Sequence, residues 1–187
     1  MNTDPATVTE QPRLWLEKAV IGLNLCPFAK AVHTLGRVRY RVSSAETPEV
    51  LVQDLSTELE ALQAADPQTC ETALLIHPLV LTDFLAYNDF LEVAEALVAE
   101  LQLEGEIQVA SFHPHYQFAG SSPDDIENFT NRSPYPTLHL LRESSIERAL
   151  ATTPEPHAIY ERNIETLRRL GHEGWQRLWI ADSSETK

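Results

Sequence analysis

The densest chemistry in the chain lies between Ser111 and His139. The segment opens Ser111-Phe112-His113-Pro114-His115-Tyr116 and closes Asn131-Arg132-Ser133-Pro134-Tyr135-Pro136-Thr137-Leu138-His139. Imidazole is the side chain whose charge changes near neutral pH, so His113 is a candidate general acid/base. His77, at the end of a separate apolar run, is a candidate second one. Neutral imidazole is also the commonest metal ligand, which makes His77, His113 and His115 candidate ligands for a divalent metal. Against that, the His-Pro-His spacing matches few metal motifs, and histidines hydrogen-bonded to backbone are the competing reading. His139 falls inside an apolar run between Leu138 and Leu140. It is a candidate substrate-binding residue, or else a buried imidazole bonded to a backbone carbonyl.

Arg132 sits in a proline-stiffened stretch, and a fixed guanidinium suits bidentate binding of a carboxylate or phosphate. Asn131 beside it could orient such a group. The alternative is a salt bridge from Arg132 to Asp83, Asp124 or Asp125. Cys26 precedes Pro27 at the expected start of a short helix, where the local partial positive charge favours a thiolate. That makes Cys26 a candidate nucleophile, with a small apolar residue in a helix kink as the plain alternative.

These residues need elements to position them. Leu14, Trp15, Lys18, Ile21, Gly22 and Leu25 recur at helical spacing and predict a first helix over about 11–25. A short helix is expected over 28–33. The alternation of Arg37 to Val42 predicts a half-buried strand, and the unbroken apolar run Thr72 to Ile76 predicts a strand covered on both faces. Thr47 and Pro48 start a helix whose stripe is Leu51, Leu55, Leu59 and Leu62. Thr82 or Asp83 caps the next, which Gly105 closes. Further strands are expected over 107–112 and 137–141, with a helical turn starting at 123–126 between them. Ser144 is the expected cap of a helix over 146–151, and a last helix over 158–179 is expected to break near Gly171 and Gly174.

The resulting fold class is α/β: one domain over 11–180, with a mixed sheet of about four strands flanked by helices. Residues 1–10 and 181–187 read as tails. The first three strands are expected to be parallel through helical crossovers, and the fourth to be antiparallel. If the second and third strands are neighbours, His77 and His113 emerge together at the carboxyl edge of the sheet, where open α/β sheets bind ligands.

Composition narrows the partners. The 187-residue chain carries a net charge of −14, which repels nucleic acid phosphates and anionic membrane surfaces. No basic or apolar leader opens it and no apolar run is long enough to span a bilayer, so a cytoplasmic protein is expected. G-x-G-x-x-G, Walker, H-E-x-x-H and G-x-S-x-G motifs are absent, and no cofactor is implied beyond the divalent metal weighed above.

Leu23-Asn24-Leu25-Cys26-Pro27-Phe28-Ala29, Leu75-Ile76-His77-Pro78, Asp83-Phe84 with Tyr87-Asn88-Asp89-Phe90-Leu91, Ala110-Ser111-Phe112-His113-Pro114 and Asn131 to Glu143 together form a specific pattern. It resembles the bacterial proteins grouped as domain of unknown function 1415, over roughly residues 12–172. The resemblance implies no activity. The residues themselves lead to an enzyme acting on a small polar or anionic metabolite, with His113, His77 and Cys26 as catalytic groups and Arg132, Asn131 and His139 binding substrate. A non-catalytic ligand-binding or interaction domain is the rival class, and a metal-dependent hydrolase is the variant.

Overall fold

The computed structural model describes residues 5–151 and 158–180, with side chains from residue 7. Four strands, β1 (Val38–Val42), β2 (Thr72–Ile76), β3 (Ile107–Phe112) and β4 (Thr137–Arg142), form one mixed sheet in the order β1-β2-β4-β3. The helices are α1 (Pro5–Trp15), α2 (Ala29–Thr34), α3 (Pro48–Ala64), α4 (Phe84–Glu100), α5 (Glu143–Ala151) and α6 (Ile159–Arg177). The α/β class, the four-stranded mixed sheet and the flanking helices are therefore as the sequence predicts.

β1 pairs with β2 in parallel, and β4 is antiparallel to both β2 and β3. β2 and β3 are not neighbours, because β4 lies between them. Phe112 is paired with Thr137, so the chain leaves β3 and re-enters β4 at the same edge, as in a hairpin with a long connection. β2 and β3 still point the same way, and His77 and His113 still emerge at one edge.

One face of the sheet is a conventional core. Ala73, Leu75, Ile107, Leu138 and Leu140 pack against α3 and α4. Leu51, Leu55, Leu59 and Leu62 of α3 are all fully buried there. Burying each such side chain contributes about 2 kcal/mol, far more than the helix propensity of any one residue, so this stripe docks α3. Asp83 caps α4 by accepting the amide of Ala86 at 3.0 Å. Arg142 donates to the carbonyls of Leu62 and Ala65, closing the C-terminus of α3 from the last residue of β4.

The second face carries Val38, Tyr40, Thr72, Leu74, Gln108, Ala110, Phe112, His139 and Leu141, since these alternate with the core-facing set. Parts of α1, α2, α5 and α6 lie over it. α1 begins at Pro5, well before the expected residue 11, and Val8 is fully buried beside Leu74, Ile76 and Tyr135. One buried valine among polar residues leaves no periodic signal, which is why this stretch reads as a tail. Residues 1–4 and 181–187 lie outside the described residues.

α1 does not continue as one α-helix. Leu16–Ile21 is π-helical, with the amides of Gly22 and Leu25 reaching back to Glu17 and Val20. This wider turn brings the Lys18 carbonyl onto the place a Cβ of residue 22 would occupy, so only glycine fits at Gly22. α5 starts at Glu143, immediately after β4, rather than at a Ser144 cap, because the Glu143 amide is held by the Glu106 carbonyl. In α6 the predicted break falls at Gly171, whose φ is 63°.

Candidate functional site

A cavity of about 1040 Å³ lies between the second face of the sheet and the helices over it. Its floor is Leu74, Ala110, Phe112, His139 and Leu141. Trp15 at the end of α1 and Leu16 and Val20 of the π-helical turn form one wall, and residues 26–29, 31 and 32 another. Ser145, Ile146 and Ala149 of α5 and Ile159, Asn163 and Thr166 of α6 complete it. Small-molecule sites commonly occupy roughly 300–1,000 Å³ and combine apolar walls with a few fixed polar groups. This cavity has that make-up.

The polar group on the floor is His139. Its Nε2 lies 2.7 Å from the Thr72 hydroxyl oxygen, and that hydroxyl lies 2.6 Å from the Leu140 carbonyl. A hydroxyl has one proton. Thr72 gives it to the carbonyl, which can only accept, so Nε2 must carry the ring proton and donate to Thr72. Nδ1 is then an unprotonated acceptor, and it has no hydrogen-bond partner among the described residues. Burial pulls the His139 pKa down to about 4, so the ring is neutral at pH 7.

Cys26 also lines the cavity and is a free thiol. Burial pushes its pKa up, and the nearby amides of Phe28 and Ala29 only partly offset this. The helix-start effect expected from the sequence is thus present and outweighed. The turn that carries Cys26 is held by Asn163, whose side chain donates to the Leu25 carbonyl at 2.8 Å. Around the cavity stand Arg37, Arg148 and Arg162, with Glu71 as the acid among the lining residues. Glu71 lies 3.6 Å from Arg37 and 3.0 Å from Arg148. Arg162 is exposed and makes no ion pair among the described residues.

The other sequence candidates lie elsewhere. His77 and His113 come together at the carboxyl edge, both against Tyr87, with ring centroids 5.8 Å and 5.0 Å from the tyrosine. Both are fully buried. His77 Nδ1 donates to the Val80 carbonyl at 3.0 Å, and its Nε2 is a buried acceptor with no partner among the described residues. His113 is engaged at both nitrogens: Nε2 donates to the Leu81 carbonyl at 3.2 Å, and Nδ1 accepts the His115 amide at 3.0 Å. Burial lowers both pKa values to about 4. The Tyr87 hydroxyl donates to the Thr137 carbonyl and accepts the Phe112 amide, tying β3 and β4 together where they part. His115 is exposed, with its ring centroid 5.9 Å from that of His113. No three His, Cys, Asp or Glu side chains among the described residues come together as a metal ligand set, so His77, His113 and His115 do not form one.

Asn131 holds the edge as well, donating to the Ser111 carbonyl while its own carbonyl accepts the His113 amide. Arg132 makes none of the expected salt bridges among the described residues. It donates to the carbonyls of Tyr116 and Pro123 and lies 4.4 Å over the Phe129 ring. The structure therefore joins Cys26 and His139 in one cavity and places His77, His113, His115, Asn131 and Arg132 outside its lining.

Sequence reasoning did not find Thr72, Arg37, Arg148, Arg162 or Trp15 as site residues. For Thr72 a signal existed. It opens the run that predicts β2, and once β2 and β4 are paired it is the diagonal cross-strand neighbour of His139. No pattern along the chain reveals that pairing.

The chain belongs to the family described as "Protein of unknown function (DUF1415)", whose model matches residues 7–177. No curated protein matches it, and no solved structure does. Among the described residues no helix is long and apolar enough to cross a membrane.

Proposed function

We propose that this protein binds a small amphipathic organic anion in the cavity over the second sheet face. The observation that carries the reading is the cavity itself, about 1040 Å³ of mostly apolar wall around one neutral imidazole with a free acceptor nitrogen. The apolar body of the ligand would lie on Leu74, Ala110, Phe112 and Leu141. A hydroxyl or N–H on it would donate to His139 Nδ1. An anionic end would meet the lining arginines, since among the described lining residues Arg37, Arg148 and Arg162 outnumber one acid, Glu71, in a chain of net charge −14. This favours binding over acid/base catalysis. A group with a pKa near 4 is a weak base at pH 7, and a thiol whose pKa is raised is a weak nucleophile.

Calorimetric titration with ω-hydroxy carboxylates of increasing chain length tests the reading. Binding should be saturable and should tighten about fourfold per added methylene until the cavity is full. Ala110→Phe, which places a ring on the floor, should abolish it. Absence of saturable binding across the series, or equal binding by the Ala110→Phe protein, would sink the proposal.

A further inference from the structure

A groove of about 480 Å³ shares Trp15 with the cavity described above and is otherwise lined by different residues. All three tryptophans of the chain, Trp15, Trp175 and Trp179, line it together with Phe129 and Arg132. Trp15 and Trp175, 3% and 8% exposed, belong to the core beneath the groove, so Trp179 is the indole that presents open apolar area there. The rings are fixed against one another: Phe129 to Trp175 at 5.2 Å and Trp175 to Trp179 at 5.6 Å, both edge-to-face. Trp179 is 41% exposed, so part of its indole is open to a ligand.

The groove has a built anion anchor. Arg132 is held by two backbone carbonyls, through Nε to Tyr116 at 3.1 Å and Nη2 to Pro123 at 2.6 Å. Its plane is further fixed by the Phe129 ring at 4.4 Å. Nη1 has no acceptor among the described residues, and no carboxylate among them lies within ion-pair distance of the guanidinium, although Asp124 acts on it at longer range. A cation immobilised this way loses little side-chain entropy when it takes an anion. The second unmet group is Trp15, 3% exposed, whose buried indole N–H has no acceptor among the described residues.

We infer that this groove is a second binding site, for a planar aromatic carboxylate whose ring packs on Trp179 and Trp175 and whose carboxylate is held by Arg132. A planar ring matches the indole faces, and a carboxylate matches the flat edge of the guanidinium. The site does not depend on the cavity proposal, because its ligand contacts are Arg132, Trp175 of α6 and Trp179 just beyond that helix, and not His139.

Calorimetry with naphthoate, and with uncharged naphthamide as the matched control, tests it on the full-length protein. Naphthoate should bind saturably and naphthamide at least about tenfold more weakly, as expected for loss of a charge-assisted hydrogen bond. Arg132→Gln should weaken naphthoate about tenfold. Because Arg132 also supports its own loop, Trp179→Ala provides a second arm at an exposed position, with an expected loss of about fivefold. Ala110→Phe, which fills the cavity, should leave naphthoate binding unchanged. The inference fails if naphthoate does not bind, if naphthamide binds as well, if Trp179→Ala has no effect, or if Ala110→Phe removes the binding.

Discussion

Thr72 decides where the proton sits on His139. Its hydroxyl proton is committed to the Leu140 carbonyl at 2.6 Å, so at 2.7 Å from His139 Nε2 it can only accept. A buried threonine on β2 thereby keeps Nδ1 of a β4 histidine free inside a largely apolar cavity. The same pair gives the first prediction. In ¹⁵N NMR of the ligand-free protein, His139 should show the Nε2–H tautomer. Thr72→Val should destabilise the fold by about 1–2 kcal/mol, because the ring N–H loses a buried acceptor. A mixed tautomer in the native protein would contradict the assignment.

The buried histidines make stability depend on pH in a fixed direction. His77, His113 and His139 each have a pKa near 4 in the fold, against 6.5 for a free imidazole. Between those values the unfolded chain binds more protons than the folded one. Stability should therefore be complete above about pH 7 and fall as pH drops from 6.5 towards 4. The loss is on the order of 3 kcal/mol each for His77 and His139 at the lower limit. Urea unfolding at pH 7.5 and pH 5 measures this, and equal midpoints would show that the imidazoles titrate normally.

Tyr87 is the clamp of the carboxyl edge. Its hydroxyl serves both β4 and β3, and Tyr87→Phe leaves the Thr137 carbonyl and the Phe112 amide without that partner. The expected cost is about 3 kcal/mol in chemical denaturation, with little change in ligand affinity, since Tyr87 does not line the cavity. A large loss of affinity at unchanged stability would move the binding site to the edge.

Gly22 allows the π-helical turn that forms the Trp15 wall. In Gly22→Ala the new methyl meets the Lys18 carbonyl, a backbone atom that cannot step aside without moving the turn. We expect a loss of at least about 2 kcal/mol and a changed Trp15 environment in near-ultraviolet circular dichroism. Native-like stability and spectrum would mean the turn does not depend on glycine.

The four strands and the main helices were legible because periodicity reports burial. The α3 leucines repeat on one face, and Thr72 to Ile76 is apolar throughout because both faces of β2 are covered. Strand order was not legible. Nothing in residues 107–142 says that β4 inserts beside β2, and that insertion brings Thr72 next to His139. The cavity was hidden for a related reason. Empty volume arises from how α1, α2, α5 and α6 sit over the sheet, and Ala110 looks in sequence like any small strand residue. His139 itself carried a hint. Leu138 and Leu140 alternate with it, which already assigns it to the face opposite the α3–α4 core. The histidines that stood out most, His77 and His113, stood out as a pair at one edge, and their polar atoms are largely spent on the loops they hold.

The most direct test of the cavity as a binding site is the ¹⁵N resonance of His139 Nδ1 during titration with a medium-chain ω-hydroxy carboxylate. The resonance should shift saturably as Nδ1 accepts the ligand hydroxyl, and the shift should be absent from the Ala110→Phe protein. An Nδ1 resonance that stays unmoved at saturating ligand, or that moves equally in Ala110→Phe, would contradict it.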